Sequence, residues 1–131
     1  MAEETEYRLV YFEESLLAAS VRDEVETLSR NGLIATLTRI KRVYQGEIDP
    51  DGLEIWRDYR GISLFLTEYR GELMVYATES EVEKGRRVLK ISIMFAGVRR
   101  NGYAGLGIVW DGSDESLWRD VVEPRCRYHF L

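Results

Sequence analysis

Apolar residues recur at helical spacing in the first third of the chain, where members of one stripe stand three or four positions apart. The stripe comprises Leu17, Val21, Val25 and Leu28. This spacing puts all of them on one face of a helix, and it predicts a helix over residues 14–30. The pair Asn31-Gly32 follows directly. Both residue types favour the left-handed conformation that ends helices, so we expect the helix to end there.

The segments on either side of this helix have less regular patterns. Residues 7–12 combine aromatic and branched side chains, and they predict a short edge strand. Residues 33–45 are ambiguous, because six apolar positions fit one helical face while Thr36 and Thr38 favour a strand. The helix accommodates more of the apolar positions, and we predict a helix there.

The periodicity changes to two after residues 49–52, where Asp-Pro-Asp-Gly predicts a turn with proline at its second position. Alternation then predicts three strands, over residues 53–59, 62–68 and 72–78. Residues 58–61 and 68–71 both read acidic-Tyr-Arg-Gly, a repeat that suits the consecutive hairpins of a meander. The charged residues 79–86 predict a helical turn.

A further alternating pattern covers residues 89–98 and 103–110. Asn101-Gly102 lies between them, and this pair favours the type I′ turn of a hairpin. Residues 111–113 provide a cap for a last helix over 114–122, which we expect to end before Pro124. The whole chain, residues 1–131, therefore predicts one α+β domain. Its antiparallel sheet has about five strands, a meander plus a hairpin, packed on one face by the N-terminal and C-terminal helices.

The two faces of this predicted sheet differ in composition. One set of alternate positions is aliphatic, and we expect the helices to pack on it. The other set, called here the mixed face, carries Phe65, Tyr76 and Met94 among hydroxyls and a lysine. Three interpretations of the mixed face stay open. It is an open platform for single-stranded nucleic acid, a surface for a protein partner or for self-association, or core beneath further helices or another subunit.

Single-stranded DNA or RNA suits an open face of this kind, because bases stack on exposed rings while arginines at the rim hold phosphate. The expected nucleic-acid-binding residues are Phe65, Tyr76, Met94 and Lys90 on the face, with Arg57, Tyr59, Arg60, Tyr69, Arg70, Arg99, Arg100 and Tyr103 at the rim. The alternative is a protein-interaction or assembly subunit, as a homodimer, that uses the same face.

Composition narrows the class of protein. With 131 residues, of which 45% are hydrophobic and 31% charged, the chain is typical of one globular domain. The acidic first residues and the single cysteine, Cys126, predict a cytoplasmic protein, and no apolar run is long enough to cross a membrane. The net charge of −5 disfavours bulk affinity for duplex DNA. Scarce amides together with abundant Glu favour a thermophilic source.

Motifs for catalysis or for a cofactor are weak. Cys126 and His129 have the spacing of half a metal site, but no other Cys or His exists to complete it. Residues 47–58 match a calcium loop only in part, because Pro50 interrupts it. The glycines at 102, 105 and 107 lead into a predicted strand, whereas a dinucleotide fingerprint opens a helix. We therefore predict a non-catalytic binding protein with no metal and no cofactor.

Overall fold

A computed structural model describes residues 5–9, 18–49, 52–99 and 110–130. The strands are β1 Thr5–Leu9, β2 Arg57–Tyr59, β3 Ile62–Tyr69, β4 Glu72–Glu83 and β5 Arg86–Val98. The first helices are α1 Ala18–Glu26 and α2 Arg30–Tyr44. The C-terminal helix is formed in succession by α3 Asp114–Ser116, a π-helical segment Leu117–Val122 and α4 Glu123–His129.

One sheet holds the five strands in the order β1-β5-β4-β3-β2. The α+β class and the predicted meander, which corresponds to β2, β3 and β4, are confirmed, and β5 extends it by one strand. The sheet is mixed, however, because β1 pairs with β5 in parallel while the other three pairs are antiparallel. A parallel neighbour needs a crossover connection, and the helices that follow β1 supply it. β1 is the predicted edge strand, although residues 10–12 of that prediction lie outside the described residues.

Three two-residue turns connect the meander. Their residue pairs are Arg60-Gly61, Arg70-Gly71 and Lys84-Gly85, and all six residues have positive φ, as type I′ turns require. The third turn shows that the predicted helical turn over 79–86 is wrong. Its charged residues alternate along a hairpin that extends beyond the core, where Val82 is 77% exposed. Alternation of this kind is hard to detect when both faces of a ribbon are solvated.

Asn31-Gly32 lies in the first turn of α2 and does not end a helix, so that prediction is wrong. Ser29 is the N-cap of α2, and its side chain accepts a hydrogen bond from the Gly32 N–H at 3.1 Å. A Cβ on Gly32 would lie 1.9 Å from the Glu72 carboxylate. The glycine therefore leaves room for the Glu72 side chain, which accepts a hydrogen bond from the N-cap Ser29. This is a tertiary cause that the local sequence does not show. The predicted helix over 33–45 is confirmed.

The C-terminal helix begins where predicted, with Ser113 accepting a hydrogen bond from the Ser116 N–H at 3.2 Å. It continues through Pro124, so the predicted end before that residue is wrong. Proline has no N–H, and its ring clashes with the carbonyl four residues earlier in a regular α-helix. The wider π-helical segment just before α4 relieves this clash, and Pro124 then stands in the first turn of α4, where no N–H is needed.

Helices contact both faces of the sheet. On the mixed face, α2 approaches Glu72 and Tyr76 of β4. On the aliphatic face, Trp110 packs edge to face on Phe95 at 5.6 Å between centroids. The ring of Phe130, directly after α4, lies 6.5 Å from that of Tyr59 on the same face. This arrangement differs from the predicted single helical layer, and it leaves the mixed face covered.

A buried ion pair joins α1, β5 and α4. Arg125 donates to both carboxylate oxygens of Glu24, and the two side chains are each 2% exposed. Arg125 also donates to the Met94 carbonyl at 2.9 Å, while Glu24 accepts from the Ala96 N–H at 3.3 Å. Met94 is the extra residue of a β-bulge in β5. The pair therefore hydrogen-bonds the carbonyl of the bulge residue and one further backbone N–H of β5.

Only the first strand of the predicted hairpin over 89–98 and 103–110 can be compared with the structure. Its first strand lies within β5. Its turn and residues 103–109 lie outside the described residues, and only Trp110 is described.

The predicted turn at residues 49–52 is closed by a hydrogen bond from the Gly52 N–H to the Asp49 carbonyl at 3.0 Å. No helix in the described part of the chain is both long and apolar enough to cross a membrane.

Candidate functional site

The residues predicted to form a stacking platform lie in the core. Phe65, Tyr76 and Met94 are 4%, 1% and 1% exposed. Phe65 and Tyr76 are cross-strand partners, and their rings stack 5.5 Å apart between centroids. A base needs an open ring face on which to stack, and this conformation offers none at these positions. The expectation of an open mixed face is therefore wrong, because α2 covers it.

The predicted rim is divided between the two ends of β3. Arg60 lies in the β2–β3 turn and Arg70 in the β3–β4 turn, so eight strand residues separate them, at about 3.3 Å each. Each guanidinium lies over the ring of the preceding tyrosine, 5.2 Å from Tyr59 and 5.3 Å from Tyr69. Tyr59 is itself buried. These residues form two local cation–π pairs and no common surface.

Arg99 is held by two carboxylates. Its guanidinium donates to Glu68 at 2.8 Å and to Asp114 at 2.6 Å. The pKa of Arg99 is raised above its ordinary value, chiefly by the hydrogen bond with Glu68. The two contacts tie the end of β3 to the start of the C-terminal helix. The neighbouring predicted rim residues, Arg100 and Tyr103, lie outside the described residues.

Lys90 and Arg57 also have acidic neighbours. Lys90 Nζ lies 3.0 Å from a Glu81 oxygen, on the extended β4–β5 hairpin. Arg57 Nη2 lies 3.8 Å from a Glu115 oxygen. Lys90 pairs with Glu79, so it lies level with the start of β3 but two strands away from it. Arg70 and Arg99 lie at the other end of β3, and the predicted basic residues do not converge.

A groove of about 760 Å³ opens beside the short strand β2. It is lined on one side by α2, including Thr38, Arg39 and Arg42, and on another by residues 53–57, which lead into β2. Residues 65–69 of β3 and the ring of Tyr76 also line it. This volume falls within the roughly 300–1,000 Å³ of ordinary ligand pockets.

The outer edge of β3 is only partly paired along this groove. β2 pairs with residues 62–64, and no described residue pairs with residues 65–69 on that side. The two residues that flank the Arg70-Gly71 turn bond to each other, so every second residue of β3 bonds to β4. By this alternation Leu66 and Glu68 direct their backbone N–H and C=O groups outward. An unpaired edge of this kind is a template for another strand.

Of the three arginines that line the groove, Arg39 has the fewest contacts with acidic residues. Arg42 pairs with Glu47 at 3.3 Å, and Arg57 has Glu115 nearby. Arg39 forms no ion pair with any other residue that the structure describes. Arg39 and Tyr76 line the same groove. Burial raises the pKa of Tyr76, and the Arg39 charge offsets part of that rise, so the phenol stays neutral and is a hydrogen-bond donor.

The functional interpretation depends on this geometry alone. No protein-family model, curated protein or solved structure matches the chain. The groove and the open edge of β3 are therefore argued from their own contacts, without a relative to compare.

The side chains with possible nucleophilic or metal-binding chemistry lie elsewhere. Cys126 is buried, and burial raises the pKa of its thiol to about 12. Burial lowers the pKa of His129, an effect that Glu79 partly offsets. A protonated thiol is a poor nucleophile and a poor metal ligand. Within the described ranges, no three His, Cys, Asp or Glu side chains converge as metal ligands do.

The groove was missed in the sequence because the predicted strand over 53–59 is too long. A strand of that length would cover the edge of β3, whereas only Arg57–Tyr59 pairs with it. A signal was present in the adjacent residues Ile55 and Trp56, two large apolar side chains that break the alternation. Ile55 is 52% exposed, as expected where the chain leaves the sheet.

Proposed function

We propose that this protein is a non-catalytic interaction domain that binds an extended segment of a protein partner as an added strand along residues 65–69 of β3. The observation that carries the proposal is the pair of outward-directed backbone positions, Leu66 and Glu68, beside a groove of about 760 Å³. In strand addition the main-chain hydrogen bonds provide affinity, and pockets for alternate side chains provide specificity.

Single-stranded nucleic acid is less well supported as the partner. The rings that would stack on bases are buried, and the arginines that would hold phosphate are at opposite ends of β3. The net charge of −5 adds a general electrostatic cost to binding a polyanion.

A second copy of the chain also fits this edge less well than an isolated segment does. The groove lies between α2 and residues 53–57, so an incoming strand has structure on both sides of it. A strand that belongs to another sheet brings its neighbouring strands and helices, which need open space around the edge. A single extended chain has no such requirement.

The test compares two substitutions at Glu68. Peptides from a random displayed library, selected on the immobilised protein, are synthesised with a fluorophore and titrated by anisotropy. Glu68→Pro removes the outward N–H, and proline is tolerated where the N–H of an edge strand faces outward. Glu68→Ala is the matched control, because both variants lose the contact with Arg99 and only the proline lacks the donor. We expect the selected peptides to bind the wild type and Glu68→Ala alike, and to bind Glu68→Pro at least tenfold more weakly.

Two results would contradict the proposed function. One is a selection that enriches no peptide, and the other is equal binding by Glu68→Pro and Glu68→Ala, with both variants folded by circular dichroism. Single-stranded DNA and RNA oligonucleotides are titrated in parallel at low and high salt. Salt-sensitive binding of the oligonucleotides, with no peptide bound, would favour nucleic acid instead.

A further inference from the structure

Two polar groups of the groove lack a partner of their own. The Tyr76 side chain is 1% exposed and lines the groove, yet its hydroxyl makes no hydrogen bond with any residue that the structure describes. Arg39 lies close enough to act on the charge of that hydroxyl, and it has no ion pair within the same ranges. The hydroxyl is not fully enclosed, so a ligand that lies in the groove can supply its hydrogen-bond acceptor in place of solvent.

The direction of an added strand brings its side chains to these groups. Side chains of a strand alternate between the two faces of the sheet. Those on the mixed face point to the side where α2 lies, as Phe65 and Tyr76 do. Every second side chain of a segment bound along β3 therefore faces α2, where Arg39 stands. Three carboxylates also line the groove, those of Glu54, Glu68 and Asp114. Glu68 and Asp114 are bound by Arg99.

We propose that the partner segment carries an acidic side chain that Arg39 and Tyr76 receive together. This inference rests on the proposed function, because it needs the segment in the groove. A carboxylate accepts two parallel hydrogen bonds from a guanidinium, and a further lone pair accepts from a hydroxyl. The Tyr76 side chain is almost fully buried, whereas Arg39 is exposed. The hydroxyl therefore provides a fixed donor, and the guanidinium adds a charge-assisted hydrogen bond. The ligand class is thus an extended peptide with an acidic side chain at the position that faces Arg39.

The experiment uses the peptides selected on the wild-type protein. We expect one position in them to be enriched in Asp or Glu, and replacement of that residue by its amide should weaken binding about tenfold to a hundredfold, as for loss of a hydrogen-bonded charge. On Arg39→Gln the same replacement should have almost no effect, since the two substitutions remove the same contact. Arg42→Gln is the matched control. It removes an arginine from the same helix and the same groove, but one that is paired with Glu47, so the acid-to-amide effect should persist.

Tyr76→Phe isolates the second donor. It removes only the hydroxyl, and because that hydroxyl has no described partner, the melting temperature should not fall. Binding of the acidic peptide should weaken severalfold, while binding of its amide analogue should not change.

The outcomes separate this inference from the proposed function. Peptides that lose affinity on Glu68→Pro but show no acidic preference would overturn the inference and leave strand addition standing. An acidic preference that persists in Arg39→Gln would also overturn it, because another cation would then be responsible. A selection that enriches no peptide at all would overturn both.

Discussion

Phe65 and Tyr76 lie ring on ring between β3 and β4, on the face that α2 covers. Large aromatic side chains provide much of the apolar area of a core, and a stacked pair adds about 0.5–1.5 kcal/mol beyond that area. Both residues also line the bottom of the groove. Their rings therefore fix the shape of that surface, while the outward backbone of β3, the Tyr76 hydroxyl and Arg39 are placed to meet a ligand.

Truncation of Phe65 tests whether the ring is core. Phe65→Ala should lower the free energy of unfolding by about 3–5 kcal/mol, the usual cost of removing a buried phenylalanine. Val82→Ala is the control at an exposed strand position, and it should change stability by no more than about 0.5 kcal/mol. Urea denaturation of both variants is the measurement. A small effect at Phe65, similar to that at Val82, would indicate a ring on an open face.

At the scale of elements, the turns show which features the local sequence predicts and which it does not. The Tyr-Arg-Gly repeat predicts two of the hairpins correctly. The third turn, Lys84-Gly85, has the same backbone conformation but lies in a charged stretch, where the two-residue period carries no apolar signal. Element ends set by tertiary contacts were predicted wrongly, as at Gly32 against Glu72.

The Lys84-Gly85 turn offers a substitution that should stabilise the protein. Lys84 has φ 51°, a left-handed conformation. That conformation costs most L-residues roughly 1–2 kcal/mol, and asparagine adopts it more readily. Lys84→Asn should therefore raise the midpoint of thermal unfolding, whereas Lys84→Gln, which removes the same charge, should not. Equal midpoints for the two variants would contradict a type I′ turn at this position.

At the scale of the whole molecule, the fold class follows from the sequence and the topology does not. Alternation identifies the strands of the meander, but nothing in residues 5–9 indicates that they pair in parallel with a strand about eighty residues later. The partners of the buried pair Glu24–Arg125 are farther apart in sequence, by 101 positions, and the pair anchors the C-terminal helix through a bulge in β5. Breaking such a pair by removing one partner costs about 3–5 kcal/mol. The pair therefore favours the arrangement in which α1 and α4 pack together against β5.

The candidate site depends on this topology. Its residues come from α2, from the segment before β2 and from β3 and β4, and the groove exists because β2 ends early. Sequence reasoning located Phe65, Tyr76 and Arg57 but assigned the two rings to an open face. It could not find the unpaired edge, because the length of a strand partner is decided by pairing in space and only weakly by local pattern.

Amide hydrogen exchange along β3, followed by NMR, tests the central claim most directly. In the free protein the amides of Leu66 and Glu68 should exchange quickly, because they face outward, while those of Phe65 and Thr67 should exchange slowly, because they bond to β4. Addition of a selected peptide should slow exchange at Leu66 and Glu68 and leave the other two unchanged. Slow exchange at all four amides in the free protein would mean that the edge is already occupied, and it would contradict strand addition at this site.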